Sequence, residues 1–158
     1  RKRWPSTESI AQILQATNTP LDDFVALAVN DTARTDIPLA TWADAQQAGM
    51  FEDGAPVAVK WSALRFPVVN DARAFALEIT GAEFGPLYRD GDRIVISPAE
   101  KPRRGDRVLV RLRTGELKLG QLGRDTAQKI ELASFASGQS DISRTAIEWI
   151  YRILWASQ

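Results

Sequence analysis

Alternation of apolar and polar residues with a period of two, interrupted by short turn sequences, is the feature that most restricts the fold of this chain. Residues 93–96 and 107–112 alternate in this way, and they follow the turn sequences Asp90-Gly91-Asp92 and Arg104-Gly105-Asp106. Such alternation indicates strands, and glycine beside aspartate is typical of tight turns. Further strands are predicted at residues 37–41, 57–60, 74–79, 116–119, 129–132 and 149–155. Many short strands at close spacing predict a mainly β body, either a sandwich or a barrel-like sheet.

The last predicted strand is apolar on both of its faces. One face carries Trp149, Tyr151, Ile153 and Trp155, and the other carries Ile150 and Leu154. Such a strand is buried on both sides, or it is buried on one side and lies at a subunit interface. Because aromatic residues are enriched in interfaces, the second interpretation predicts a homodimer.

Residues 4–30 carry a helical pattern instead. Ile10, Ile13 and Leu14 form one apolar stripe, and Thr19-Pro20 is a typical start for a second short helix. Helices of this size cannot bury their own stripes, so this piece needs a partner. We therefore predict a helical piece at residues 1–30, a linker segment at residues 31–56 and a β domain at residues 57–158.

Composition excludes several kinds of site. The chain has no cysteine and no histidine, which removes thiolate zinc sites and the usual general base, so we expect no metal and no cofactor. Its twenty basic and twenty acidic residues cancel, so the whole chain lacks the charge signature of a nucleic-acid-binding protein. No apolar run approaches the roughly 18 residues of a membrane helix, and no signal peptide is visible, so we expect a cytoplasmic protein without membrane contact.

A spaced set of glycine, proline and aspartate residues occupies residues 81–92. The segment reads Gly-Ala-Glu-Phe-Gly-Pro-Leu-Tyr-Arg-Asp-Gly-Asp. It resembles the nucleophile segment of the LexA and phage CI repressor family, which typically reads Gly-Asp-Ser-Met-Glu-Pro and, a few residues later, Asp-Gly-Asp. The predicted strands that follow and the tail are similar to those of the same family, so the resemblance covers residues 74–157. The piece around residues 3–10 resembles the end of a helix-turn-helix domain.

This resemblance also shows which residues are absent. Members of the family cut themselves with a serine and a desolvated lysine that acts as general base. In this chain Glu83 stands in the place of the serine, and Gly120 stands in the place of the lysine. The resemblance therefore implies a lost dyad and a protein that is not an enzyme. A shift of the alignment by two residues would put Lys118 in the place of the lysine, but it would still provide no serine.

Lys118 has two possible roles. On a strand its side chain points to the same side as position 120, about 6.6–6.8 Å away. It could turn toward Glu83 and form an ion pair, or it could be an ordinary exposed lysine of a strand.

Three further groups of residues are candidates. Ala48-Gly49 resembles the cleavage site of the family, and we expect it to be a relic of the substrate strand. Trp42, Met50 and Phe51 could form a lid over the vacated site. Basic residues surrounding Asp106 predict a solvated turn and strand edge, with a phosphate or nucleic-acid contact as the alternative; they are Lys101, Arg103, Arg104, Arg107, Arg111 and Arg113.

The resemblance implies the dimerisation and regulatory domain of a bacterial repressor-type transcription regulator, one that does not cleave itself. It would bind DNA through a helix-turn-helix domain largely absent from this chain, with residues 1–30 as its remnant. Two alternatives stay open. One is a ligand-sensing regulator that uses the defunct cleft, which a pocket lined by Glu83 and Lys118 would favour. The other is a self-cleaving serine peptidase-type repressor, which would need a serine at position 83.

Overall fold

The structure, a computed structural model, describes residues 34–67 and 69–157. The helices predicted within residues 4–30, and with them the proposed remnant of a helix-turn-helix domain, lie outside the described residues. Within those residues, no helix is both long enough and apolar enough to cross a membrane.

Strands dominate the described residues, so the predicted mainly β class is confirmed. The elements are β1 (Arg34–Thr41), α1 (Trp42–Ala45), β2 (Phe51–Glu52), β3 (Ala55–Pro56), β4 (Ser62–Pro67), β5 (Phe75–Glu78), β6 (Arg93–Ser97), β7 (Arg107–Leu112), β8 (Leu117–Asp125), β9 (Lys129–Ser134), β10 (Gly138–Ser143) and β11 (Ile147–Ala156). Short 3-10 turns occupy Ala58–Lys60 and Arg144–Ala146.

One nine-stranded sheet forms the body, in the order β10-β9-β8-β7-β11-β6-β5-β1-β4, and β2 and β3 form a separate hairpin. The pair β1–β5 is parallel, and the other neighbours in the sheet are antiparallel. β1 belongs to this sheet although it lies in the segment predicted as a linker. The predicted boundaries of the three pieces remain predictions.

The sheet buries apolar side chains on both of its faces. The main core joins strand residues with residues of α1, of the β2–β3 region and of the loop before β6; among them are Phe75, Leu77, Ile96, Leu109, Trp42, Met50, Phe84 and Tyr88. Val108 and Val110, which alternate with Leu109 on β7, belong to a second cluster. β7 is therefore buried on both faces, and the predicted alternation of apolar and polar residues does not hold at its centre, where Val108, Leu109 and Val110 are all apolar.

One predicted strand is not a strand in the structure, and further strands were not predicted. Residues 57–60 do not form a strand but a 3-10 turn, in which the N–H groups of Lys60 and Trp61 donate to the carbonyls of Val57 and Ala58. The side chain of Val59 is 95% exposed there, so this β-branched residue has no strand partner to pack against. β4 and β10 were not predicted, because they carry little alternation.

A β-bulge reverses the faces near the end of β11. Its register with β6 shifts between Ile153 and Trp155, and an extra residue in one strand turns the following side chains to the opposite face. Ile153 and Ala156 therefore pack against the main core, whereas the ring of Trp155 lies edge-on to that of Phe66, with 5.2 Å between centroids. The prediction that Trp155 shares the face of the preceding aromatic residues is wrong.

Candidate functional site

The loop that carries Glu83 connects β5 to β6 and is tied together at its base. Gly91 N–H donates to the carbonyl of Ile79 at 2.8 Å, and the Oδ1 atom of Asp90 accepts from the N–H of Gly81 at 2.7 Å. Asp92 Oδ2 accepts from the N–H of Arg89 at 2.8 Å. Gly91 has φ of 86°, a conformation that suits glycine. The Asp-Gly-Asp sequence thus closes the loop by its own side chains.

Two aromatic anchors hold this loop against the sheet. Phe84 is 2% exposed and Tyr88 is fully buried. The ring of Phe84 packs edge-on against Trp42 of α1, with 4.9 Å between centroids. Burial raises the pKa of Tyr88 above its ordinary value, although the nearby guanidinium of Arg107 acts in the opposite direction. Glu83 directly precedes one of these anchors, and its side chain is exposed.

Glu83 and Lys118 line the same cavity, which we call the Glu83 cavity. Its volume is about 240 Å³, and its walls are Trp42, Gln46, Glu83, Phe84, Glu116, Leu117, Lys118, Leu119, Ser134, Ala136 and Ser137. The aromatic and leucine side chains provide an apolar floor. Carboxylate, ammonium, amide and hydroxyl groups converge at the rim. The structure therefore brings together two side chains that the sequence analysis singled out, Glu83 and Lys118, at one cavity.

Lys118 forms its ion pair with Glu116. Its Nζ atom lies 2.9 Å from Glu116 Oε1, and the two side chains are 27% and 52% exposed. Lys118 is therefore partly buried, and its ammonium group pairs with a carboxylate two residues earlier in the chain. The alternative pairing, with Glu83, is not the one found.

Position 120 has no room for a side chain. Gly120 on β8 pairs with Ser134 on β9, and a Cβ built on it would lie 2.7 Å from both the carbonyl oxygen of Ala133 and the Cγ of Leu132. Contacts this short require the neighbouring strand to move. A lysine at position 120 does not fit the strand spacing of this chain.

Sequence reasoning missed the hydroxyl groups of the cavity. Ser134 and Ser137 line it, and Ser134 Oγ accepts from the N–H groups of Ala136 at 3.4 Å and Ser137 at 3.3 Å. Only the register between β8 and β9 brings these serines near Lys118. No local sequence pattern could have indicated this.

Ala48 and Gly49 lie in the connection between α1 and β2 and are not among the residues that line the Glu83 cavity. They line a second cavity of about 280 Å³, which we call the Arg111 cavity, with Gln46, Arg111, Arg113, Thr114, Gly115 and Glu148. Gln46 lines both cavities. Both residues of the dipeptide are exposed, and Gly49 has φ of 75°. The dipeptide thus borders a different space from the one lined by Glu83.

The residues considered as a lid are part of the core. Trp42 is 4% exposed and Met50 is 6% exposed, and the carbonyl of Met50 accepts from Trp61 Nε1 at 3.0 Å. Phe51 packs edge-on against Trp149, with 5.3 Å between centroids. The adjoining hairpin is held by Tyr151, whose hydroxyl donates to the carbonyl of Gly54 at 2.9 Å. Of the three residues, Trp42 lines the Glu83 cavity.

The basic residues near Asp106 do not form one solvated strand edge. β7 lies between β8 and β11, so the interpretation as an edge is wrong. Arg111 is 7% exposed, and the guanidinium of Arg107 lies 5.8 Å from the centre of the Tyr88 ring. Arg113 Nε donates to the carbonyl of Thr145 at 3.0 Å. The basic residues therefore have separate environments.

The described residues contain no group of three or more histidine, cysteine, aspartate or glutamate side chains that could hold a metal ion. A family model described as Peptidase S24-like matches residues 37–154 of the chain. A search of curated proteins found no match to the chain.

Proposed function

The chain belongs to the Peptidase S24-like family, and from this premise we propose that it serves as a dimerisation and regulatory domain of a bacterial repressor-type transcription regulator and does not cleave itself. Dimerisation would hold two helix-turn-helix domains at neighbouring half-sites about one turn of DNA apart. Two linked DNA contacts gain affinity from their high effective concentration.

The identity of the residues at positions 83 and 120 is the observation that carries the proposal. Glu83 offers a carboxylate where the resemblance to LexA-type repressors expects a serine hydroxyl. Gly120 stands where a lysine is expected, and a Cβ there would lie 2.7 Å from Ala133 O and Leu132 Cγ. With neither nucleophile nor base in place, assembly is the role of the family fold that remains.

The other hydroxyls of the Glu83 cavity do not replace the dyad. A lysine that serves as general base must lose its proton and reach the hydroxyl. The Nζ atom of Lys118 lies 2.9 Å from Glu116 Oε1, whereas Ser134 Oγ accepts from the N–H groups of Ala136 and Ser137. The amine and the hydroxyl are therefore each held by another partner.

An exposed apolar patch supports dimerisation. Leu154 and Trp155 are 41% and 45% exposed at the end of β11, and Trp155 packs against Phe66 of β4. Exposed aromatic side chains that adjoin further apolar side chains are typical of subunit interfaces.

Sedimentation equilibrium at micromolar concentration tests this role. We expect the purified chain to be a homodimer, and we expect Trp155→Ser to weaken the dimer by about tenfold or more, because buried tryptophans are often the strongest contacts of an interface. Val59→Ser is the matched control, since Val59 is 95% exposed but lies in a 3-10 turn outside the patch. A wild-type chain that is entirely monomeric would contradict the proposal. Equal effects of the two substitutions would exclude the patch.

A ligand-sensing regulator is the second candidate. The Glu83 cavity favours it, because a space of about 240 Å³ is lined by both Glu83 and Lys118 above an apolar floor. A few polar groups around an apolar pocket are typical of small-molecule sites.

A further inference from the structure

Among the residues that the structure describes, Arg111 is the one charged residue that is buried. It is 7% exposed, and its Nε atom donates to Glu148 Oε2 at 2.9 Å. The guanidinium carbon lies 4.8 Å from the centre of the Phe51 ring. These contacts fix the plane of the guanidinium and leave its remaining N–H groups to find acceptors elsewhere.

One of those groups has no acceptor. The Nη1 atom of Arg111 is buried, and it has no hydrogen-bond partner among the residues that the structure describes. An arginine side chain keeps its charge at every ordinary pH. A buried N–H of a charged group without an acceptor is unfavourable, so an acceptor supplied by a water or an ion would be stabilising there.

The Arg111 cavity borders the same guanidinium, on the side of its other amino group. The Nη2 atom lies 3.9 Å from the point where a Cβ on Gly115 would stand, and Gly115 is itself part of the cavity wall. The wall carries the guanidinium groups of Arg111 and Arg113 and the carboxylate of Glu148. It therefore has one net positive charge, together with the hydroxyl of Thr114 and the amide of Gln46.

We propose that the Arg111 cavity binds a small oxyanion, a carboxylate or a phosphate group, on the guanidinium of Arg111. The planar guanidinium presents pairs of N–H groups that match the two oxygens of such an anion. Arg113 at the rim supplies the second positive charge. The volume of about 280 Å³ suits a small anion or the anionic end of a larger ligand.

Binding at this place would also reach the dipeptide considered as a relic cleavage site. Ala48 and Gly49 form part of the cavity wall, so a bound anion would hold their loop against β7. The inference does not depend on dimerisation or on the loss of self-cleavage.

Titration of the whole chain tests the site. Sodium phosphate and sodium acetate are added separately at constant ionic strength, with sodium chloride as the reference, while the side-chain N–H signals of the arginines are followed by NMR. We expect a saturable shift of the Arg111 signals and a higher Tm with at least one of the two anions. The anion that saturates at the lower concentration distinguishes phosphate groups from carboxylates. If neither produces a saturable shift, the cavity holds only water and the proposal is wrong.

Substitutions locate the binding. Arg113→Gln should weaken the affinity by about tenfold, because it removes a charge from the rim without touching the buried ion pair. Arg111→Lys should weaken it by at least as much, since a lysine lacks the paired N–H groups. Arg104→Gln, an exposed arginine outside the lining of the cavity, is the control and should leave the affinity unchanged. Should Arg111→Lys fail to fold, Arg113→Gln decides, and equal affinities of Arg113→Gln and Arg104→Gln would overturn the assignment.

Discussion

Lys118 on β8 and Arg111 on β7 each form an ion pair at 2.9 Å, but the two pairs have different surroundings. The side chains of Lys118 and Glu116 are 27% and 52% exposed, whereas those of Arg111 and Glu148 are 8% and 41% exposed. Water and salt screen the first pair, and such pairs contribute about 0–1 kcal/mol to stability. The guanidinium of Arg111 has no such access to water, so its partner matters more.

The same difference in exposure to solvent distinguishes the two cavities. At the rim of the Glu83 cavity, charged side chains face solvent and can change with little effect on the fold. In the Arg111 cavity a charge is part of the core and contacts Phe51. We therefore expect substitution of an exposed charged side chain at the first cavity to cost less stability than substitution of the arginine at the second.

The largest effect on stability is expected of Gly120→Lys, at a buried position of β8 two residues after Lys118. We expect a loss of about 3 kcal/mol in the free energy of unfolding, because the added Cβ would overlap with β9 and overpacking is costly. Gln121→Lys introduces the same side chain at the next, exposed position of β8 and should cost less than about 1 kcal/mol. Urea unfolding measures both, and equal losses would show that the strands adjust freely at position 120.

Removing each cation tests the comparison directly. Arg111→Ala should lower the free energy of unfolding by about 2–3 kcal/mol, because the chain loses the partly buried pair with Glu148 and the contact with Phe51. Lys118→Ala should lower it by about 0.5 kcal/mol, as expected of an exposed pair. If chemical denaturation gives similar values for the two variants, burial does not distinguish the pairs.

Glu83→Ser should have the smallest effect on stability, within about 0.5 kcal/mol, because Glu83 is exposed. It restores the hydroxyl that the family resemblance expects, but it provides no base. We expect neither the wild type nor this variant to cleave itself when incubated at about pH 9.5 and weighed by mass spectrometry. Fragments ending at Ala48, formed at a rate independent of protein concentration, would contradict the proposed inactivity.

The alkaline experiment needs a control for folding. Burial raises the pKa of Tyr88 and of Tyr151 above the ordinary value of 10.0. The folded state therefore favours the neutral phenols, and their contribution to stability is present below pH 10 and is lost as the pH rises through the raised pKa values. Circular dichroism at the incubation pH, compared with that at neutral pH, tests whether the protein is still folded.

Much of the fold could be predicted, and the misses have physical causes. Alternation and Gly-Asp turns indicated β5, β6, β7, β9 and β11 to within a few residues, because strand alternation and turn conformation depend on neighbouring residues. The 3-10 turn at Ala58–Lys60 was predicted as a strand, since its apolar residues have the composition of one. What was absent was a partner strand.

The sequence by itself determined the mainly β class, the turns at Gly91 and Gly105 and the family resemblance, and from that resemblance came the expectation that Glu83 and Gly120 replace the dyad. These depend on residue identity and on spacing along the chain. Only the tertiary structure decided that Lys118 pairs with Glu116 and that Ser134 lies opposite Gly120. It also decided that a bulge turns Trp155 toward Phe66 and that Arg111 is buried with one N–H unpaired. Strand register and burial depend on residues that are far apart in sequence, so no local pattern contains them.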